Sequence, residues 1–360
     1  MENAEFHRKY MARCLELALG GQGSVAPNPM VGAVIVHNNR IIGEGFHAMY
    51  GQSHAEVNAI NSVQNKELLK ESTLYVSLEP CSHYGKTPPC TDRIVEYEIP
   101  RVVIATTDPN PMVAGRGIEI LRQHGKDVTV GVLETEAIEL NKRFITFHTK
   151  NRPYVILKWA QTMDGFIDKK REPNEPVGPN WITNELARSL VHRWRSEEQA
   201  VLVGTNTVEK DNPQLNVRNW SGRSPIRVVI DRKLRLPINA NVFDGSQPTL
   251  LITGNNSSAQ ARKSEFSGIE NLEIITIDFV KGVEVQILRE LADREIISVI
   301  IEGGAMLLNS FIQKNLWDEA RMFVGNKFFG EGVKAPTLKG RMVSYDEIGD
   351  SRLFIYRNEK

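Results

Sequence analysis

One histidine and two cysteines in the first third of the chain have the types and the spacing of a three-ligand metal site. These residues are His54, Cys81 and Cys90. A catalytic zinc ion is typically held by three protein side chains, and its fourth position stays open for water. Glu56 lies two residues after the histidine, where its carboxylate could move protons without binding the metal. The pattern therefore predicts a hydrolytic zinc site.

The predicted local structure directs these residues towards one point. Ser53 can cap a helix in which Glu56 lies three residues after the cap. Helical residues diverge by about 100° each, so His54 and Glu56 would meet only above the N-terminal end of that helix. A second helix is expected near Cys90, with Pro89 at its first position. Two helix N-termini at one point favour thiolates and hydroxide. Together with the three ligands, the glutamate two residues after the histidine matches the pattern of zinc nucleobase deaminases.

Three other interpretations of the same residues stay open. A structural zinc would need a fourth protein ligand, for which His83 is the candidate, but it would leave Glu56 without a role. Buried thiols without metal are disfavoured, because Cys81 and Cys90 lie in a segment rich in proline and glycine. A disulfide between them is disfavoured because the first residues of the chain show no secretion signal. We therefore expect a catalytic zinc.

The length and the charge of the chain limit its class of function. With 360 residues, the chain is long enough for two domains. Its 44 basic and 44 acidic residues cancel, so no global field attracts nucleic acid or an anionic membrane. No run of about 18 apolar residues occurs, and Cys14 is expected to be a packed core thiol. We expect a soluble cytoplasmic protein, and the zero net charge disfavours a nucleic-acid substrate without ruling it out.

Strands and helices are predicted to alternate in both halves, which is typical of an α/β protein with helices on its sheets. A boundary is expected at residues 149–153, which gives one domain at residues 1–148 and another at residues 152–360. A single helix is predicted at residues 134–147, and a polar loop is predicted at residues 168–180.

Candidate binding residues follow predicted strands in both halves. Cys81 and Asp108 follow strands of the first half, and ligands bind where such strands end. In the second half, Val203–Thr207 and Glu302–Gly304 join a strand to a helix, where backbone N–H groups could hold a phosphate; tight packing is the other interpretation. Four cationic residues either hold phosphates or are solvated charges: Lys158, Arg195, Arg218 and Arg227.

Several segments resemble the bifunctional deaminase–reductases of riboflavin biosynthesis. In the first half these are Pro27–Gly32, His54–Glu56, Glu79–Cys90, Asp108–Pro111 and Val113–Gly117. In the second half they are Lys158–Gly165, Trp181–Thr183, Asp211–Arg218 and Glu302–Gly304. The eight-residue spacer between the two cysteines is specific, because cytidine and tRNA-adenosine deaminases usually have two residues there. The resemblance extends over nearly the whole chain.

The resemblance implies a fold and a reaction for each half. The first half would be a cytidine-deaminase-like three-layer domain that uses zinc to deaminate 2,5-diamino-6-(5-phosphoribosylamino)pyrimidin-4-one. The second would be a dihydrofolate-reductase-like domain that uses NADPH to reduce the ribosyl arm of the product to ribityl. A homo-oligomer, either a dimer or a tetramer, is also expected.

The resemblance also implies roles for individual residues. His54, Cys81 and Cys90 would bind zinc, and Glu56 would transfer protons. The deaminase substrate would contact Asn28, His47, His83, Lys86, Asp108 and Asn110. NADPH would contact Ala160, Trp181, Thr207, Asp211, Gly304, Ala305, Met306, Leu307, Leu308, Asn309 and Ser310. The substrate of the reductase would contact Arg195, Leu215, Arg218 and Glu302.

One segment departs from the family pattern. Val177–Asn180 stands where many members have a Gly-Glu-Ser type of segment, and it follows a longer loop. A substrate contact at Pro179 is therefore in doubt. Two other functions stay open: a nucleobase or RNA deaminase with a non-catalytic C-terminal binding domain, and a non-enzymatic protein with structural zinc.

Overall fold

The computed structural model describes residues 2–84, 88–110, 113–172 and 175–359. The chain forms two compact units. Met1–Asn151 is called the first unit and Arg152–Lys360 the second unit. Among the described residues, no helix combines the length and the apolarity that a membrane span requires.

The first unit contains a five-stranded sheet in the order β2-β1-β3-β4-β5. Its strands are β1 (Gly32–His37), β2 (Arg40–Phe46), β3 (Thr73–Val76), β4 (Arg101–Ile104) and β5 (Asp127–Val130). Its helices are α1 (Glu2–Ala18), α2 (Ala55–Ser62), α3 (Cys90–Glu96), α4 (Arg116–Gln123), α5 (Glu134–Leu140) and α6 (Lys142–Lys150). β1 pairs antiparallel with β2 and β3, whereas β3, β4 and β5 are parallel.

Helices cover both faces of this sheet, which gives the predicted three layers. Side chains alternate between the faces of a strand: Ile35 of β1 packs with residues of α2, α3 and α4, whereas Val34 packs with α1 and α5. Cys14 lies in the second cluster, fully buried, and its thiol donates to the carbonyl of Tyr75 at 3.4 Å. The prediction of a core thiol is confirmed.

The single helix predicted at residues 134–147 is wrong, because the chain breaks at Asn141 between α5 and α6. The Asn141 side chain is used by a distant segment: its Oδ1 accepts from the backbone N–H of Met30 at 2.8 Å, and its Nδ2 donates to the carbonyl of Met30 at 2.9 Å. Asn141 thereby holds the loop that precedes β1, which contains Asn28.

The second unit contains a nine-stranded sheet in the order β11-β10-β9-β8-β12-β6-β13-β16-β15, and β7 and β14 form a separate pair. The strands are β6 (Tyr154–Thr162), β7 (Phe166–Lys169), β8 (Ala200–Gly204), β9 (Ile226–Ile230), β10 (Thr249–Gly254), β11 (Leu272–Ile277), β12 (Ser298–Ile301), β13 (Glu319–Gly325), β14 (Gly332–Lys334), β15 (Arg341–Ile348) and β16 (Ser351–Arg357). The helices are α7 (Glu185–Glu197), α8 (Thr205–Asp211), α9 (Ser257–Arg262), α10 (Val283–Ala292) and α11 (Ala305–Gln313).

Seven neighbouring strands of this sheet are parallel, and apolar clusters cover both faces. The chain runs outward from β6 through β8 to β11 and then returns to place β12 between β8 and β6. Ligand clefts form where the chain changes direction in this way, beyond the carboxyl ends of the strands. The predicted polar loop at residues 168–180 is partly wrong, because its first two residues belong to β7.

Candidate active sites of the two units

In the first unit, the three predicted zinc ligands lie together. Nδ1 of His54 is 3.4 Å from Sγ of Cys81 and 3.4 Å from Sγ of Cys90, and the three ligand atoms lie within 4.8 Å of one another. A tetrahedral zinc with bonds of about 2.0–2.3 Å would hold nitrogen and sulfur ligands roughly 3.5 Å apart. The donor set and its spacing therefore fit zinc.

The competing interpretations of the two cysteines do not fit this geometry. Cys81 and Cys90 are free thiols, and the backbone N–H of Cys90 donates to Sγ of Cys81 at 3.3 Å. Hydrogen bonding from Cys90, opposed by burial, lowers the pKa of the Cys81 thiol, whereas the same hydrogen bond and burial raise the pKa of the Cys90 thiol. Cys81 is thus the thiol of this pair that most readily becomes a metal-binding thiolate. Within the described part of the chain no fourth His, Cys, Asp or Glu joins the cluster, and His83 is exposed. A fourth ligand position remains for water.

The elements that carry the ligands differ slightly from the prediction. α2 begins at Ala55, and His54 occupies the N-cap position with extended backbone angles, so Ser53 does not cap the helix. Pro89 is likewise the N-cap residue of α3 rather than its first residue. Because His54 precedes the helix, the rotation of about 100° per helical residue does not determine the direction of its side chain. Both helix N-termini nevertheless contribute to the cluster, as expected.

Glu56 lies in the first turn of α2 and is 3% exposed. Burial, together with the negative charge of Cys81, raises the pKa of the Glu56 carboxyl to about 7. A carboxyl group with a pKa near neutrality can both accept and release a proton, which is what a shuttle between water and substrate needs.

Asn28 and His47 are joined to each other next to the metal ligands. His47 is 2% exposed, its Nδ1–H donates to the carbonyl of Ser53 at 3.1 Å, and its Nε2 accepts from Nδ2 of Asn28 at 3.1 Å. Burial lowers the pKa of His47, so the neutral tautomer matches both bonds. The two imidazole rings of His47 and His54 lie 5.3 Å apart, edge to face. This arrangement orients the Asn28 amide beside the metal site.

Asp108 and Asn110 follow β4, and the side chain that arranges their loop was missed in the sequence. Glu79 is 5% exposed and accepts backbone N–H groups of Asp108 at 3.1 Å, Gly115 at 2.9 Å and Gly117 at 2.9 Å. The sequence offered one signal for this role of Glu79, because an acidic residue stands directly before Pro80 and Cys81 and after a buried strand. Lys86 lies outside the described residues.

In the second unit, one cavity of about 1120 Å³ opens at the carboxyl ends of β8, β9 and β12. It is lined by all but one of the residues predicted for the reductase: Ala160, Trp181, Arg195, Thr207, Asp211, Leu215, Arg218, Glu302, Gly304, Ala305, Met306, Leu307, Leu308 and Ser310. Asn309 is the predicted residue that does not line it. Pro179 lines the same cavity.

A cluster of charges lies in the wall of this cavity. Arg195 donates from Nε and Nη2 to the two oxygens of Glu302, at 2.6 and 2.8 Å, and Nζ of Lys158 is 3.6 Å from Glu302. Burial opposes ionisation of Glu302, but Arg195 and Lys158 outweigh it and lower the pKa of Glu302 to about 2. Lys158 is therefore a largely buried, paired cation whose side chain is 16% exposed, which corrects its interpretation as a solvated charge.

Arg227 lies neither in the cavity nor in solvent. Its side chain is fully buried, Nη1 donates to Asp244 at 2.6 Å, and Nε donates to the carbonyl of Gln214 at 2.9 Å. The predicted phosphate contact and the solvated alternative are both wrong for this residue. Arg227 instead holds the backbone of Gln214, which belongs to a segment that lines the cavity.

Comparisons with known proteins agree with the two units. Residues 4–106 match the family of cytidine and deoxycytidylate deaminase zinc-binding regions, and residues 153–344 match the RibD C-terminal domain. The riboflavin biosynthesis protein RibD of Aquifex aeolicus is 40% identical over 98% of this chain and 99% of its own. The RibD protein of Escherichia coli is 36% identical over 90% of this chain and 89% of its own.

Solved structures are similar over the whole length. A diaminohydroxyphosphoribosylaminopyrimidine deaminase/5-amino-6-(5-phosphoribosylamino)uracil reductase from Thermotoga maritima has a TM-score of 0.85 and 40% identity, over 99% of both chains. RibD of Acinetobacter baumannii has a TM-score of 0.87 and 32% identity, over 99% of this chain and 100% of that one. With the zinc-binding deaminase region in the first unit and the reductase cavity in the second, this chain belongs to the RibD family of bifunctional riboflavin-biosynthesis deaminase–reductases.

Proposed function

We propose a role for each side chain of the two sites in the two reactions of the family. The chain is a riboflavin-pathway enzyme that deaminates 2,5-diamino-6-(5-phosphoribosylamino)pyrimidin-4-one and then reduces the ribosyl arm of the product with NADPH. The observation that carries the residue assignments is the grouping of the predicted residues. Three ligands and a buried glutamate lie together in the first unit, and all but one of the predicted reductase residues line one cavity in the second.

In the first unit, His54, Cys81 and Cys90 would hold zinc, and Glu56 would move the protons. Zinc, when bound, supplies a Lewis acid that lowers the pKa of water to about 7 and so provides a nucleophile for the amino-bearing ring carbon. The Glu56 carboxylate would take one proton of the attacking water and pass it to the ring nitrogen. It would then take the remaining proton of the added hydroxyl and pass it to the amino group, which leaves as ammonia. Asn28, held by His47, orients the pyrimidine, and Asp108 and Asn110 lie on the loop that Glu79 arranges.

In the second unit, the cavity carries an excess of positive charge that suits a phosphorylated substrate. Arg188, Arg195, Arg218 and Lys158 line it together with Glu302. Arg195 is already paired with Glu302, so Arg218 is the residue assigned to the phosphate of the ribosyl arm.

The same cavity would orient the reacting carbon. NADPH, when bound, supplies the hydride for the opened ribosyl arm. Lys158 is the candidate proton donor, because burial lowers the pKa of its ammonium group and Glu302 keeps it in place. Trp181, Asp211 and the start of α11 would hold the cofactor.

An assay of both reactions tests whether deamination comes first and whether each reaction uses the proposed substrate. Purified protein is expected to release ammonia from the diaminopyrimidine in the absence of NADPH, and to oxidise NADPH only after deamination. Ammonia release from cytidine or RNA, with none from the diaminopyrimidine, would favour the nucleobase deaminase instead. The wild-type protein should also bind NADPH, which a non-catalytic C-terminal domain has no need to do.

We also propose that the protein is a cytoplasmic homo-oligomer. β15 is an edge strand of eight residues that is mostly exposed, and its Met342, Val343 and Tyr345 are 53%, 41% and 46% exposed. A long edge strand with apolar side chains is usually covered, and a second copy of the chain is the occupant proposed. Light scattering of the purified protein should give a multiple of the 40.5 kDa chain mass; a monomer at micromolar concentration would contradict this.

A further inference from the structure

The segment that departs from the family pattern is tied to the reductase cavity by one arginine. Arg171 follows β7, and its Nε and Nη2 donate to the two oxygens of Asp168, at 2.8 and 3.2 Å. Its Nη1 donates to the carbonyls of Gly178 and Lys210, both at 2.9 Å, and its Nη2 also donates to Oδ1 of Asp211 at 2.6 Å. The guanidinium has five N–H donors, and all five are engaged.

These contacts bring the loop after β7 to the C-terminal end of α8. Lys210 and Asp211 are the last residues of α8. Gly178 belongs to Val177–Asn180, the segment that differs from the family pattern. Asp168 additionally accepts from Nδ2 of Asn180 at 2.6 Å, and Asn180 is the residue before Trp181. Arg171 therefore holds the side chain of Asp211 directly, and through Asp168 it holds the residue that precedes Trp181.

Asp211 and Trp181 are cavity residues to which the proposed function assigns cofactor contacts. Oδ1 of Asp211 is taken by Arg171, and Oδ2 accepts no hydrogen bond from any residue that the structure describes. The Asp211 carboxylate thus has one oxygen held by the protein and one left for a donor on a ligand.

We propose that Arg171 is a positioning residue of the cofactor site, which holds the Asp211 carboxylate and the segment before Trp181 in the geometry that binds NADPH. The proposal rests on the assignment of this cavity to NADPH. Arg171 itself has no donor left for a phosphate, so it acts through Asp211 and Trp181 and not as a ligand. A Lys at this position keeps the charge but cannot reproduce a bidentate pair with Asp168 and a third bond to Asp211.

Arg171→Ala and Arg171→Lys test the proposal against a matched control. Loss of a charged hydrogen-bond partner of a partly buried carboxylate is expected to weaken NADPH binding about tenfold in Arg171→Ala, with a smaller loss in Arg171→Lys. The rate at saturating NADPH should change much less than the KM for NADPH. Arg294→Ala is the control, because Arg294 also joins two carboxylates, Glu273 and Glu290, but does not line the cavity.

Two further measurements separate positioning from a general structural role. Addition of Asp211→Asn to Arg171→Ala should cost less NADPH affinity than Asp211→Asn costs in the wild type, because the arginine acts through that carboxylate. Ammonia release by the first unit and binding of the deaminated substrate should stay at wild-type levels. Unchanged NADPH affinity in Arg171→Ala, or fully additive losses, would overturn the proposal. Failure of the wild-type protein to bind NADPH would instead contradict the proposed function.

Discussion

Glu56 and the three ligands show at the scale of single residues what the deaminase site requires. The ligands approach from the start of α2, the start of α3 and the loop after β3, so only tertiary structure brings them together. Glu56 is buried like Cys90, but it differs from the three ligands because its carboxylate stays out of the cluster of ligand atoms. Its role can therefore be separated from metal binding by a substitution that keeps its shape.

Glu56→Gln is expected to lower the rate of deamination by about 10³-fold, because general acid–base groups contribute about 10²–10⁴-fold and the amide cannot carry the proton. Zinc content should stay at one ion per chain, since Glu56 is not a ligand. Ammonia release and metal analysis on the same preparation measure the two effects. Glu119→Gln, a change of an exposed glutamate on α4, is the control; loss of zinc in Glu56→Gln would contradict the assignment.

Glu302→Gln is expected to destabilise the second unit by about 3 kcal/mol at neutral pH, because Lys158 and Arg195 would remain buried without their counter-charge. The folded pKa of Glu302 is lowered to about 2, from an ordinary 4.5. Its contribution to stability is therefore complete above about pH 5 and is lost as the pH falls from 4.5 towards 2. Urea denaturation between pH 3 and pH 7 should show the wild type losing more stability on acidification than the variant does. Parallel curves would contradict the prediction.

At the scale of elements, Glu79 connects two loops of the deaminase. It lies between β3 and the loop of Cys81, and its carboxylate accepts the backbone N–H groups at the start of α4. The contact is close, since a Cβ on Gly117 would lie 2.2 Å from the carbonyl of Pro80. The zinc loop and the loop of Asp108 therefore share one fixed geometry.

Glu79→Gln should reduce deamination by about tenfold or more, with a raised KM and retained zinc, because an amide cannot accept all of these N–H groups. Gly117→Ala is expected to act in the same direction by pushing the two loops apart. Steady-state kinetics of ammonia release measure both variants, and Glu71→Gln, at an exposed position before β3, is the control. Wild-type KM values in both variants would show that the loop connection does not matter for substrate binding.

The sequence predicted most strands and helices, and the errors share a physical cause. The break at Asn141 and the buried state of Arg227 depend on partners that are not local in the sequence, Met30 and Asp244 respectively. Local periodicity carries no signal for such partners. The metal ligands were predictable because the chemistry of zinc restricts residue type and number. Arg171 was not, because its role arises from contacts with α8 that only the fold creates.

At the scale of the whole molecule, the described residues that we propose for each reaction lie within one unit. The described zinc ligands and Glu56 belong to Met1–Asn151, whereas every residue that lines the reductase cavity belongs to Arg152–Lys360. The sheets and the apolar clusters are also separate. The two activities should therefore respond independently to a change that affects only one site.

Removal of zinc is the sharpest test of that independence. Chelator-treated protein is expected to lose ammonia release, because three ligands without metal supply no Lewis acid, and to regain it when zinc is restored. NADPH oxidation with substrate that has already been deaminated should persist at the rate of the untreated protein. Cys81→Ser should reproduce the treated state permanently, whereas Cys14→Ala, which changes a core thiol of the same unit, should keep both zinc and deamination. If reduction declined in step with zinc loss, the reductase site would depend on the first unit, and the assignment of one self-sufficient reaction to each unit would be wrong.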